Sequence, residues 1–391
     1  MEKDNRQKIT RAAIALGALM FSTYIGPGFT AGTQTVTYFL TKGWVGVIIA
    51  HLVLILPTFV WFYLCFEFNR AYRPKDYREQ FDRIFAGDKS KRFFGTIKDL
   101  FTGIQMIIVM ATIISGAATI LYDQFGIPDI PATICFALLL IILTIKGRGS
   151  VTKLGSIIAI FILVFILFIT ISGFGKSWPL TAAFLAAKTT PQDYGYSTFY
   201  AWYLMMSAMI FFTSGMNSAV PVCLNALKSK RDSFAAALIP AVLCPMSTMV
   251  CAILFASGMP GIMDEPIPML FMLKSILGAG SLPQIIYVAI AMAAMINSGV
   301  SLLFGFSERY QYLLGKVAFS DRSPGFRRGL VGVVTAAVAA GFSRFGILTI
   351  IKSGFTTFTL VAAPLIVYVL FFAIPYRIIS DKRAGTYPGK D

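Results

Sequence analysis

Apolar stretches of about twenty residues recur along the whole of this 391-residue chain. Each is long enough to cross roughly 30 Å of hydrocarbon. Such stretches leave few folds open. In a bilayer every backbone N–H and C=O must find a partner inside the protein, so a spanning segment is a helix or part of a closed barrel, and runs of this length read as helices. Only 13% of residues are charged, about half the share of a soluble domain. Ten spans fit the pattern, roughly 12–40, 45–68, 96–122, 128–146, 150–173, 197–228, 233–257, 283–307, 328–343 and 354–376. The expected fold is an all-α membrane protein, one integral membrane domain of ten transmembrane helices.

The formal net charge of +16 raises the question of nucleic acid, and its placement answers it. Of 34 Lys and Arg, 28 fall in alternate connections: the N-terminus to Arg11, Arg70 to Lys98, Lys146 to Lys153, Lys228 to Arg231, Arg309 to Arg328, and Arg377 to Lys390. This alternation is the positive-inside pattern, which expects both termini in the cytoplasm of a cell-membrane protein. Basicity here sets topology; no nucleic-acid partner is expected, and the chain's surroundings are membrane lipids. The five cysteines lack metal-ligand or disulfide spacing and read as packing residues.

Ten spans divide into five and five, 1–173 and 174–391. An odd-numbered unit, repeated, inserts its second copy upside down, which is the inverted repeat of many transporters. The helices that open the halves match this reading. The first contains Phe21-Ser-Thr-Tyr-Ile-Gly26-Pro27-Gly28-Phe-Thr-Ala-Gly32; the sixth contains Phe211-Phe212-Thr213-Ser214-Gly215-Met-Asn217-Ser-Ala-Val-Pro221. Each has a small, polar, helix-breaking centre, so helices 1 and 6 are expected to unwind at mid-membrane. Pro27 brings no N–H, and the flanking glycines accept φ values closed to other residues. Unwound backbone is tolerable at that depth only beside a cavity, water or a ligand. The half-helix that follows starts with free N–H groups, suited to a carboxylate. The half-helix before ends in free carbonyls, suited to an ammonium group or Na⁺. The expected substrate-binding residues are Tyr24, Gly26, Pro27, Gly28, Phe211, Phe212, Thr213, Ser214, Gly215 and Asn217.

All eighteen Asp and Glu lie in loops or near span ends, which argues against a carboxylate proton relay and a metal site rich in Asp. Hydroxyls, amides and carbonyls remain at mid-depth, adequate ligands for Na⁺. Asn297, Ser298 and Ser301 on the eighth span are candidates. With one histidine, His51, and no mid-span carboxylate, an enzyme is not expected, nor a cofactor other than Na⁺ as coupling ion. The apolar stretch Met269 to Leu277, after Pro266 and Pro268, is too short to span and is expected to form a hairpin over the outer mouth.

The stretch Ile25-Gly-Pro-Gly-Phe-Thr-Ala-Gly32, with Phe39 and Gly43, resembles the Gly-Ala-Gly-Phe-Ala-(Ser/Thr)-Gly opening of the YkvI-like amino-acid permeases. Phe345-Gly-Ile-Leu-Thr-Ile-Ile-Lys352-Ser-Gly354-Phe355 is similar to that family's approach to its last helix. The motifs cover some thirty residues. The family belongs to the amino acid–polyamine–organocation superfamily, so the resemblance implies the five-plus-five LeuT fold. By further resemblance to LeuT-fold Na⁺ symporters, carbonyls near Ser22 and Ile25 join side chains near Asn297 and Ser298 in a cation site. One departure is Gln34, where the family usually carries an acidic residue, which puts that carboxylate's role in doubt here. The function so implied is Na⁺-coupled symport of an amino acid or similar small zwitterion by alternating access. The alternatives are a metal-ion carrier of related fold and a non-transporting sensor.

Overall fold

The computed structural model describes residues 9–146, 151–213, 220–278 and 282–389, which are mostly helical with no strand among them. In chain order the helices are α1 (Arg11–Tyr24), α2 (Pro27–Ala31), α3 (Thr33–Tyr38), α4 (Ala50–Tyr72), α5 (Tyr77–Ile84), α6 (Asp88–Phe125), α7 (Asp129–Lys146), α8 (Val151–Ala186), α9 (Thr198–Thr213), α10 (Val220–Ala226), α11 (Lys230–Ala256), α12 (Pro268–Leu277), α13 (Leu282–Val317), α14 (Pro324–Ser343), α15 (Ile347–Thr349), α16 (Thr356–Tyr368) and α17 (Ile374–Arg383). Among the described residues seven helices are long and apolar enough to cross a bilayer: Val45–Tyr72, Asp88–Phe125, Ile160–Ala186, Lys230–Ala256, Leu282–Val317, Pro324–Ser343 and Ile347–Arg383. Asp129–Ile145 is a shorter apolar helix. The first expected span is divided among α1, α2 and α3; of the sixth, α9 and α10 are described, and residues 214–219 lie outside the described residues.

Two groups of helices are distinguishable by their packing. In one, α1 and α4 each pack on α11, with α9 and α10 against α1 and α4; in the other, α6, α7, α13 and α14 pack together. The helix α8 touches both, meeting α13 on one side and α1 and α11 on the other. Close approach explains a small residue in the first group: a Cβ at Gly17 would stand 2.7 Å from the Ala236 carbonyl oxygen, so glycine lets α1 settle onto α11.

The polar ends are tied by side chains rather than left to solvent. Ser229 caps α11 in a reciprocal capping box with Asp232. The buried Asp232 carboxylate also accepts from the backbone N–H of Thr10 at 2.8 Å, fixing the start of α1 to the α10–α11 corner. Asp232→Ala leaves these N–H groups unpaired and is expected to cost about 2 kcal/mol, read as a drop in melting temperature that Asp232→Asn partly restores.

Lys42, at the opposite end of the first segment, is fully buried. Its Nζ donates to Thr41 Oγ1 (2.6 Å) and Thr37 O (3.2 Å) and stands 3.6 Å from the centre of the Tyr196 ring. Burial lowers the ammonium from its ordinary 10.5 to about 7. Below pH 7 both folded and unfolded chains hold this proton, and the cost of the buried charge is fully present. Between about 7 and 10.5 the unfolded chain holds more protons, so stability rises with pH. Lys42→Met lacks this rise, so its melting temperature, followed from pH 6.5 upward, loses ground to the parent as pH increases.

Two expectations are corrected. The segment Met269 to Leu277 is a single helix, not a hairpin: α12 packs on α2, α8, α11 and α13, with Met269, Leu270, Met272, Leu273 and Ile276 buried. One apolar face of a ten-residue helix suffices to seat it, and Lys176 Nζ donates to the Ile276 carbonyl at its end (2.8 Å). The connection expected after residue 173 is also helix, because α8 runs through Pro179 to Ala186. The N–H missing at Pro179 belongs to a turn whose acceptor residue, Gly175, is exposed and open to other donors.

Candidate substrate and cation site

The helical run from Arg11 stops at Tyr24. Ile25 has φ −72° and ψ 58°, and the Gly26 N–H donates to Tyr24 O at 2.7 Å. Those angles and that bond make an inverse γ-turn centred on Ile25. The consequence is local and chemical. In a continuing helix the Gly26 N–H would serve the Ser22 carbonyl and residue 27 the Thr23 carbonyl; the first is diverted and Pro27 has no N–H to give. Ser22 and Thr23 thus lose their regular helical donors, while Ser22 Oγ donates back to Leu19 O at 2.8 Å. Beyond the turn α2 starts at Pro27, and its first N–H groups have no intrahelical acceptors.

The pieces after the break are held tightly. Gly32, at φ +87°, turns α2 into α3, and a Cβ there would meet the Phe255 ring at 2.6 Å. Gly28 carries the Gln34 side chain directly on its backbone: a Cβ would lie 2.2 Å from Gln34 Nε2. Where the resemblance expects an acidic group, a neutral amide covers the start of α2. Tyr287 Oη donates to Thr30 O at 2.9 Å, and Thr33 Oγ1 to Pro266 O at 2.8 Å, tying α2 and α3 to α13 and the approach to α12.

The expected site residues fare unequally. Tyr24 is buried; its ring packs on Phe29 at 5.5 Å and its hydroxyl meets Thr248 Oγ1 of α11 at 2.5 Å. Ile25 is buried at the turn, and Gly26 and the Pro27 backbone form its exit. Phe211, Phe212 and Thr213 end α9. Ser214, Gly215 and Asn217, where the second break is expected, lie outside the described residues. Asn297, Ser298 and Ser301 are half-buried on α13, which packs on α2, whereas α1 seats mainly on α11 and α8. Among the described residues Asn297 Oδ1 is buried with no hydrogen-bond partner, as are Thr30 Oγ1, Thr35 Oγ1 and Thr37 Oγ1 on the first segment. A buried acceptor left unpaired costs free energy, so each has room for a partner beyond the described residues.

Thr248, Thr30 and Tyr287 were not among the sequence candidates. Their involvement depends on which face of each helix turns inward, and α11 and α13 carry polar residues on several faces. The nearest sequence signal is Ser247-Thr248 in an otherwise apolar run two residues after Pro245.

No family model matches the chain, and no curated protein matches it. Solved structures do. The chain is similar to MhsT in complex with L-phenylalanine (16% identity, TM-score 0.66, covering 98% of this chain and 93% of that one). It is similar to a Na⁺-coupled sialic acid symporter in a substrate-bound outward-open state (18%, TM-score 0.63, 93% and 78%). The fold is the LeuT fold. A manganese transporter variant from Eremococcus coleocola also matches (15%, TM-score 0.56, 97% and 89%). Structures sharing the LeuT fold thus carry or bind phenylalanine, sialic acid and manganese, so the fold does not choose the cargo. That choice has to be argued from the residues at the break.

Proposed function

We propose that this chain is a secondary active transporter that couples Na⁺ to the symport of an amino acid or similar small zwitterion by alternating access. The observation that carries the reading is the turn at Ile25–Gly26, which strips the Ser22 and Thr23 carbonyls of their helical donors, together with the orphaned Asn297 Oδ1 on α13. Helix geometry supports placing them together. Tyr287 is bonded to Thr30, and Asn297 lies ten residues further along α13. That is about 15 Å along the axis, toward the level of Ser22 and Ile25 as the first segment runs back from Thr30. Carbonyls of Ser22 and Ile25 with Asn297, Ser298 and Ser301 form the cation site in this reading. The zwitterion lies against Tyr24, Gly26, Pro27 and Gly28 on one side, and Phe211 to Gly215 with Asn217 on the other.

Ten spans in two inverted halves, 1–173 and 174–391, complete the proposal, with helices 1 and 6 unwound at mid-membrane. Contacts support the symmetry: α4 packs on α11, α6 on α13 and α7 on α14, each the counterpart of the other in its half. The short α5 and α12 likewise occupy the same place between the second and third spans of each half. The basic loops put both termini in the cytoplasm of the cell membrane. Kinship with the YkvI-like permeases belongs to the same reading.

Counter-flow in proteoliposomes tests it. Vesicles loaded with a mixture of unlabelled amino acids are expected to accumulate a labelled member only when Na⁺ is present. Absence of exchange with every amino acid, in protein that melts cooperatively, removes the substrate class. Uptake of Mn²⁺ instead would favour a metal cargo, although the described residues contain no cluster of three or more His, Cys, Asp or Glu suited to a metal ion.

A further inference from the structure

At the end of the molecule that carries the Arg70 to Lys98 loop, the helices α4, α5, α6 and α16 with its continuation into α17 surround a partly open pocket whose enclosed space is about 70 Å³. Its walls are apolar, among them Trp61, Phe81, Phe101, Phe358 and Leu365. Into this lining α6 brings Lys98, Phe101 and Gln105, which at i, i+3 and i+7 share one stripe of the helix.

Among the described residues no carboxylate forms an ion pair with the Lys98 ammonium, which feels Asp99 only at longer range. The carboxylate next to it in sequence, Asp99, is turned to another face of α6. There it accepts from Tyr77 Oη (2.8 Å), Arg78 (2.9 Å) and Arg309 (3.4 Å). Glu67 on α4 is engaged by Arg70 (2.7 Å) and Tyr387 Oη (3.0 Å). No carboxylate lies within 4 Å of Lys98 Nζ among the described residues. The Phe81 and Tyr77 rings stand 5.7 and 5.9 Å from Nζ to centroid. A cation against apolar walls is costly unless something pairs with it. The aromatic faces offset only part of that.

We propose that this pocket binds a monoanionic amphiphile with a short alkyl chain, a medium-chain carboxylate, its head on Lys98 and its chain along Phe101, Phe358 and Leu365. Charge complementarity selects the head, and the lining selects the body. The site lies apart from the broken helix and involves neither Na⁺ nor transport.

Equilibrium dialysis of the purified full chain in a non-ionic detergent, with octanoate as the probe, tests it. The parent protein is expected to bind octanoate saturably and to bind octylammonium far more weakly. Lys98→Gln should lower octanoate affinity at least about tenfold while leaving octanol binding unchanged, and Lys98→Arg should keep octanoate within about threefold of the parent. Three results would overturn the proposal: no saturable octanoate binding, equal binding of octanoate and octylammonium, or a folded Lys98→Gln protein that binds octanoate as the parent does. The two amphiphiles of opposite charge decide the matter on the parent protein alone should the glutamine variant not fold.

Discussion

Asn297→Leu is expected to abolish the stabilisation of this protein by Na⁺ while leaving its melting temperature in K⁺ unchanged or slightly raised. The two halves of that result have one physical origin. Asn297 Oδ1 is buried and has no partner among the described residues, so removing it takes away an unsatisfied acceptor and replaces it by apolar volume. A residue whose role is to bond a neighbouring helix would behave the other way, losing stability in either salt. For a ligand of the cation, the loss appears only when the cation is present, and the apparent Na⁺ affinity is expected to fall at least about tenfold. Thermal denaturation in matched NaCl and KCl series measures both. A uniform fall in stability that ignores the salt would assign Asn297 to helix packing.

The second large effect lies at the corner between α3 and α4. Gly43 has φ +69° and ψ −160°, a region open essentially to glycine alone. A Cβ there would stand 2.0 Å from the Thr189 carbonyl oxygen, which also accepts from the Trp44 N–H at 3.1 Å. Neither group can move without opening the seam between this corner and the connection after α8. Gly43→Ala is therefore expected to cost about 3 kcal/mol or more, seen as loss of monodisperse protein or a steep drop in melting temperature. Gly126→Ala is the control: its φ is +66°, but nothing lies within 4 Å of the added carbon. It should cost about 1 kcal/mol. Equal costs for the two would mean that the Thr189 contact does not matter.

Backbone-determined features were legible in the sequence. The interruption at Gly26-Pro27-Gly28 follows from a missing N–H and permissive φ values, and the structure puts its turn at Ile25–Gly26, inside the expected stretch. The apolar runs foretold the long helices for the same reason: composition alone carries the signal. What escaped was whatever depends on helix rotation. Thr248 as the partner of Tyr24, Asp232 as the anchor of Thr10, and the burial of Lys42 under Tyr196 each require knowing which side of a helix faces its neighbour, and hydrophobic runs that are apolar all round do not say. The fate of Met269 to Leu277 was missed because a ten-residue apolar segment can be judged too short to span without revealing its shape. Asn297 is intermediate. Its residue type marked it, but only the packed structure shows an oxygen with nothing to accept from.

The central claim is that the broken first helix and Asn297 hold Na⁺ beside a zwitterionic substrate. The most direct measurement is the melting temperature of the purified chain against a panel of amino acids, each in NaCl and in KCl, because only a ligand bound to the folded state raises it. The account predicts stabilisation by one amino acid or a small chemical class of them, present in Na⁺ and absent in K⁺. Stabilisation of equal size in both salts would contradict the cation site, and no stabilisation by any amino acid in Na⁺ would contradict the zwitterion site.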